Sequence, residues 1–487
     1  MAVVYEDILK THEVVIGLEV HAQLKTHTKL MSPASVEAGA APNTNIASPC
    51  LGLPGALPTL NESAVKMGLS MGLALGCRIQ GLSIFSRKHY FYPDLPKGYQ
   101  ISQYDRPYAL DGAVSFYWNG ERRSVALHRI HLEEDAGKNL HFDERGVSLV
   151  DLNRSSVPLI EIVSAPDIRS PEEAAAYLKA LRLVLRYLDI CDGNLEEGNF
   201  RCDANVSIRP RGQTEYGTRV ELKNINSFRH LEKAIVYEVE RQYAALQNGE
   251  KIFQETRLWD AAQNRSLGMR SKEEAADYRY FPEPDLLPLL ITQEMIDRSR
   301  SALPELPLAK MERFIRDYER SPYDAEVLCA SMDLADYFET VAKKVEDTNL
   351  ASNFIQTNVL AAIQNVELDF KTFYPTAEAL STLLLKVKDK TLSLGMAKEV
   401  FEAMRESKKD ALSIIQERNL AQVSDVSALE KVIREVMEKN PGQLQEYRSG
   451  KDKLFGFFMG QCQKSLQGKG DPGLLKELLQ KMLTATP

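Results

Sequence analysis

Cysteine is scarce and scattered in this chain of 487 residues, at Cys50, Cys77, Cys191, Cys202, Cys329 and Cys462. No two form a CxxC pair, and a chain this long can build its core without disulfides. That excludes a disulfide-stapled scaffold and points to reduced core cysteines and a cytoplasmic location. Long apolar runs are missing too. The longest, Val65 to Cys77, is about 13 residues and contains Lys66 and Ser70, so it cannot span a bilayer. Residues Met1 to Lys10 carry Glu6 and Asp7 and lack the basic-then-apolar pattern of a secretory signal. No membrane partner is expected. Net positive charge is also absent. At −8 the chain has no global attraction for nucleic acid, so any such binding must come from local patches. Several nucleotide and hydrolase motifs are missing: there is no P-loop, no G-x-G-x-x-G after a strand, no H-E-x-x-H and no G-x-S-x-G.

What is present is uneven. Both tryptophans, Trp118 and Trp259, lie in the first part, and no histidine follows His230. The later part is rich in Leu, Lys, Glu and Ala. The length suggests about three domains. Prolines at 282, 284, 288, 304 and 307 punctuate a first boundary, and a second falls near Ser407–Asp410. We therefore expect an α+β chain: a mixed sheet/helix catalytic domain over 1–292, an all-α helical domain over 293–406 and a small all-α tail domain over 407–487. Ala325–Ala342 and Ala377–Val387 carry apolar residues at helical spacing.

The first domain shows strand patterning. In Glu13–Leu24 every even position is apolar, and the odd positions include Glu19 and His21. Arg201–Arg209 and Arg219–Lys223 alternate in the same way, joined across Pro210–Thr218 as a long hairpin. Ser170-Pro171-Glu172-Glu173 predicts a helix start, with its end near Gly193.

The alternation places Glu19 and His21 on one strand face. A carboxylate beside an imidazole can bind a divalent metal or exchange protons, although an exposed polar face with no ligand looks the same. Glu161 sits inside the apolar run P-L-I-E-I-V-S, where a carboxylate must be paired, hydrogen-bonded or metal-bound. Glu133-Glu134-Asp135 follows His128 and His131 and ends a strand-like run. Glu221 and Lys223 share a polar face, as do Arg201 and Asp203. A sheet face bearing Glu, His and Arg/Lys suits Mg²⁺ and phosphate chemistry. His89–Pro107 gathers Tyr90, Phe91, Tyr92, Tyr99 and Tyr104. These rings either stack on a base, line a channel or pack under a loop. From Pro441 onward seven Lys/Arg face four Asp/Glu. That basic module suits phosphate contact, or is simply a solvated face.

These stretches are recognisable together. V-I-G-L-E-V-H-A-Q-L at Val15–Leu24 resembles the opening signature of the B subunits of the aspartyl/glutamyl-tRNA(Asn/Gln) amidotransferases, the GatB/GatE family. L-G-L-P-G-A-L-P at Leu51–Pro58, Y-F-Y-P-D-L-P-K-G-Y-Q-I-S-Q at Tyr90–Gln103 and H-L-E-E-D-A-G-K at His131–Lys138 continue the resemblance. So do D-L-N-R-S-S-V-P-L-I-E-I-V-S at Asp151–Ser164, R-C-D-A-N-V-S at Arg201–Ser207, E-L-K-N-I-N-S at Glu221–Ser227 and D-Y-R-Y-F-P-E-P-D at Asp277–Asp285. It is dense over about 12–290 and weaker beyond, with a further match at Gly450–Gln461.

The resemblance implies a cradle-shaped catalytic domain and a ligase that forms C–N bonds with glutamine as amide donor. It implies ATP and Mg²⁺ as cofactors. The implied partners are an amidase-type A subunit and a small C subunit of one heterotrimer, and the implied substrate is misacylated tRNA(Gln) or tRNA(Asn). The family's metal and phosphorylation site maps onto Glu19, His21, Glu134, Glu161 and Glu221. Arg201 and Lys223 are the candidate phosphate ligands, and Lys451, Lys453, Lys464 and Lys469 the candidate tRNA contacts. A scaffold that binds tRNA but no longer phosphorylates is the alternative, and the intact acidic residues weigh against it. One departure stands out. Many members carry C-P-x-C before the L-G-L-P-G segment, as part of a four-cysteine zinc site. Here the stretch is Ala47-Ser48-Pro49-Cys50, so no zinc is expected.

Overall fold

The computed structural model describes residues 4–142, 146–269, 278–364, 370, 372–420, 426–466 and 470–484. The chain folds as two compact units, Met1–Lys310 and Met311–Pro487. Sheet dominates the first and helix the second, which is the α+β order the sequence predicts.

The first unit is built on one large sheet. Its central strands run in the order Thr256–Asp260, Val220–Ile225, Phe200–Pro210, His12–Gln23, Pro158–Ser164, Glu121–Glu134, Tyr99–Ser102 and Ser86–His89. All these neighbours pair antiparallel except the first two, which are parallel. The predicted strands over 13–24, 201–209 and 219–223 are thus three adjacent members of this sheet. The alternation has its expected cause. Val14, Ile16, Leu18, Val20 and Ala22 are all buried, in one core with Cys202, Ala204 and Val206 of the neighbouring strand. Leu178 and Leu181 of the helix Pro171–Tyr187, and Leu231 and Ile235 of Phe228–Gln247, complete that core.

The predicted helix start is present. Ser170 Oγ accepts from the Glu173 backbone N–H at 3.1 Å, and Pro171 opens the first turn. Glu173 reaches back one residue further than a capping box requires, accepting from the Arg169 N–H at 2.9 Å.

In the second unit, the apolar spacing over 325–342 is divided between two helices, Pro322–Leu328 and Met332–Val345. Ser331 causes the break, because its side chain caps the Leu334 N–H at 3.2 Å. Ala377–Lys388 forms one helix, as its spacing predicts. The last helices, Val426–Lys439, Pro441–Arg448, Leu454–Ser465 and Pro472–Thr484, share a small core of their own that includes Leu429, Ile433, Phe458, Cys462, Leu475 and Leu479. Among the described residues no helix is long and apolar enough to cross a membrane.

Candidate active site

The strand register assembles the site. His131 pairs with Glu161, Glu161 with His21, and His21 with Arg201, one cross-strand row over four adjacent strands. Residues in one row project from the same sheet face, with strands about 4.8 Å apart. The opposite face is the core, so these polar side chains are confined to the open side.

Distances show convergence. His21 Nε2 lies 3.5 Å from Glu161 Oε2 and 3.5 Å from Glu133 Oε1. His131 Nε2 lies 3.1 Å from Glu161 Oε2 and 3.7 Å from Glu133 Oε2. One ligand atom each from His21, Glu133 and Glu161 lie within 4.8 Å of one another. Two carboxylates and an imidazole at that spacing fit a divalent cation. No other such group occurs among the described residues.

The electrostatics are strongly perturbed. Burial alone would raise Glu161, but the His131 and His21 imidazoles hold it well below the usual carboxylate range. Glu133 is likewise held down by His131 against its burial. Burial opposes protonation of His131, yet the two carboxylates outweigh it and push this imidazole up to about 9. His21 is raised for the same reason. The carboxylates thus favour the protonated form of both imidazoles, whereas a divalent ion would take His21 as the neutral ring.

The remaining residues extend the site. Glu19 stands one row along, opposite Asp203, and accepts from Asn205 Nδ2 at 3.0 Å. Burial, then the charges of Glu161 and Glu221, push its carboxyl above the ordinary value. Glu221 lies opposite Asn205, accepts from Thr256 Oγ1 at 2.7 Å and pairs with Lys223 at 2.9 Å. Lys223 also pairs with Asp203 at 2.6 Å. Arg201 is held by Asp135 at 3.0 Å. Both cations remain more than a third exposed, at 37% for Arg201 and 38% for Lys223, so each can also meet an anionic ligand.

Glu134 is placed differently. Its neighbour in the sequence, Glu133, shares parity with His131 and joins the cluster, so Glu134 projects from the opposite face. There it is buried, ion-paired with Lys97 and accepting from the Ile101 N–H at 2.9 Å. The structure thus brings His21 and Glu161 together with Glu133 and His131, sets Glu19 and Glu221 beside them, and puts Glu134 behind the sheet. Parity is readable in H-L-E-E, because His131 and Glu133 are two apart.

In the second unit Lys451, Lys453 and Lys464 are exposed, and Lys451 pairs with Glu446 at 3.2 Å. Lys469 lies outside the described residues. Cys50 is buried in a short helix, Ser48–Leu51, with Sγ 3.2 Å from Ser32 Oγ.

Comparison with known proteins gives the same assignment for both units. Residues 14–297 match the GatB/GatE catalytic domain, and residues 336–483 match the GatB domain. A protein of Thioalkalivibrio sulfidiphilus is 52% identical over 97% of this chain and 99% of its own length. Proteins of Solidesulfovibrio magneticus and Thermodesulfovibrio yellowstonii are 50% identical over the same shares. Each of the three is named as the B subunit of an aspartyl/glutamyl-tRNA(Asn/Gln) amidotransferase. With family domains covering most of its length and half its residues shared with such relatives, this chain belongs to the GatB/GatE family of tRNA amidotransferase subunits.

Proposed function

We propose that the chain activates the side-chain carboxylate of glutamate or aspartate misacylated onto tRNA(Gln) or tRNA(Asn), at the expense of ATP, for amidation by ammonia. The observation that carries this reading is the His21–Glu133–Glu161 cluster flanked by Arg201 and Lys223 on one sheet face. The names of the relatives supply the substrate class.

The chemistry requires activation. A carboxylate resists attack because a second negative charge would have to build on the same group. Its oxygen instead attacks the γ-phosphorus of ATP, and the β–γ bridging oxygen leaves with ADP. Ammonia then attacks the acyl carbon, phosphate leaves with the bonding pair, and the amide remains. Glutamine supplies the ammonia through an amidase-type A subunit, with a small C subunit completing the enzyme in the cytoplasm.

Each residue has a task in this scheme. His21, Glu133 and Glu161 would hold a divalent cation. A Mg²⁺ held there would supply charge screening between the triphosphate and the approaching carboxylate. Arg201 and Lys223 counter the phosphate oxygens. His131, buried beside them, pairs with the carboxylates of Glu161 and Glu133. Glu19 and Glu221 set the position of Asn205 and Lys223.

The test is amidation by the reconstituted heterotrimer on both misacylated tRNAs, with ATP and glutamine. Amidation should require ATP and release ADP only when misacylated tRNA is present. Amidation without ATP would refute the reading.

A further inference from the structure

The two flanks of the carboxylate cluster differ in character. On one side stand Arg201 and Lys223. On the other the sheet continues into Tyr99–Ser102 and Ser86–His89. Ser102 Oγ lies 3.3 Å from Glu133 Oε2, so this flank opens directly onto the cluster. Two residues further, Tyr104 stacks flat on Tyr280, with ring centroids 4.0 Å apart and planes 5° from parallel. Tyr278 meets Tyr280 edge-on at 6.0 Å, and Lys88 Nζ lies 5.0 Å from the Tyr278 ring. Tyr104 nevertheless keeps 47% of its surface exposed. A half-exposed ring backed by a parallel one is a platform for another flat π-system.

The geometry of the reaction selects the ligand. Phosphoryl transfer places donor and acceptor in line, on opposite sides of the transferring group. If the cationic flank takes the triphosphate, the tyrosine flank is left for the acceptor. The amino acid of an aminoacyl-tRNA is esterified to the 3′-terminal adenosine, so that adenine is the flat ring nearest the reacting carboxylate. We infer that Tyr104 and Tyr280 form the stacking platform for the 3′-terminal adenine of the tRNA. The choice of flank rests on the ATP-dependent reading above, whereas the platform itself does not.

Adenine is common to tRNA and ATP, so the experiment separates them. Binding of intact tRNA and of tRNA lacking its terminal adenosine is compared on the reconstituted enzyme without ATP. The intact enzyme should prefer the complete tRNA by about tenfold or more. Tyr104→Ala should erase that preference, and Tyr104→Phe, which keeps the ring, should retain it. In the amidation assay Tyr104→Ala should raise KM for aminoacyl-tRNA and leave KM for ATP and kcat nearly unchanged. Persistence of the preference in Tyr104→Ala would overturn the inference. So would a rise in KM for ATP in place of tRNA, because the rings would then hold the nucleotide. If the ATP reading itself is wrong, intact enzyme amidates without ATP, and the binding comparison still stands because it involves no phosphorylation.

Discussion

His21 and Glu161 face each other across adjacent antiparallel strands, with Nε2 3.5 Å from Oε2. This pairing is the centre of the site, and its loss should stop the chemistry. Glu161→Gln and His21→Ala should each lower ATP-dependent amidation on the order of 100-fold or more, while glutaminase activity of the complex remains detectable. Placement then separates the two adjacent glutamates. Glu133→Gln should weaken Mn²⁺ binding by about tenfold or more, measured by electron paramagnetic resonance titration. Glu134→Gln should leave that affinity unchanged, because its carboxylate lies behind the sheet with Lys97. Equal Mn²⁺ losses in both would refute this placement.

The legible parts of the site are those fixed by parity along one strand. Glu19 and His21 share a face because the period of a strand is two, and the buried even positions confirm which face is core. The anomalous Glu161 in an apolar run marks itself by its cost of burial. What the sequence does not show is register between strands. His131 enters the cluster only because it pairs with Glu161, a partner 30 residues away in the chain. Resemblance favours Glu134 over Glu133, although the strand period favours Glu133. In the helical unit the break before Met332 depends on one cap, Ser331, which an apolar spacing pattern does not register.

Zinc is a separate matter from the divalent cluster. The six cysteines are all buried and unbridged, and Ala47 stands where the C-P-x-C stretch would put a second cysteine beside Cys50. A closed zinc site takes four ligands. Elemental analysis of the purified enzyme should therefore find no stoichiometric zinc, and reductant should leave its melting temperature unchanged. One tightly held zinc per chain would contradict this.

Acid stability of the helical unit should depend on Glu339. Arg313 grips its carboxylate in a fork, at 2.9 and 3.0 Å, and Tyr318 and Lys343 add contacts at 3.1 and 2.8 Å. The Arg313 hydrogen bonds are the main cause that pulls this carboxyl down to about 2. A carboxyl lowered on folding contributes stability above its unfolded value near 4.5, and the contribution is lost as pH falls towards 2. Glu339→Gln should accordingly lower stability at pH 7 by on the order of 1 kcal/mol once solvent screening is counted, read as a lower Tm. The gap between variant and parent should close progressively between pH 4.5 and 2. A gap independent of pH would mean that the charge contributes nothing.

The terminal helices should serve affinity and not chemistry. They carry a core of their own around Leu429, Phe458 and Leu479, so they can fold without the rest of the chain supplying a partner face. Their lysines at 451, 453 and 464 are exposed, in a chain whose net charge is −8. Among the described residues there, no histidine and carboxylate cluster of the kind seen at His21 is present. If the proposed function holds, the acceptor end of a tRNA, a long polyanion, enters the catalytic unit, and a second contact on its body would hold it without touching the reacting group. Loss of such a contact removes binding that is equal in ground state and transition state. KM for tRNA should then rise while kcat changes little. The salt dependence of tRNA binding should also flatten, because fewer counterions are released. Truncation after Glu406 is the severe test, and Lys451→Ala with Lys453→Ala, Lys464→Ala and Lys469→Ala the mild one. If the truncated enzyme binds tRNA as tightly as the intact one, or loses kcat at constant KM, these helices do not contribute tRNA affinity and their lysines are merely solvated.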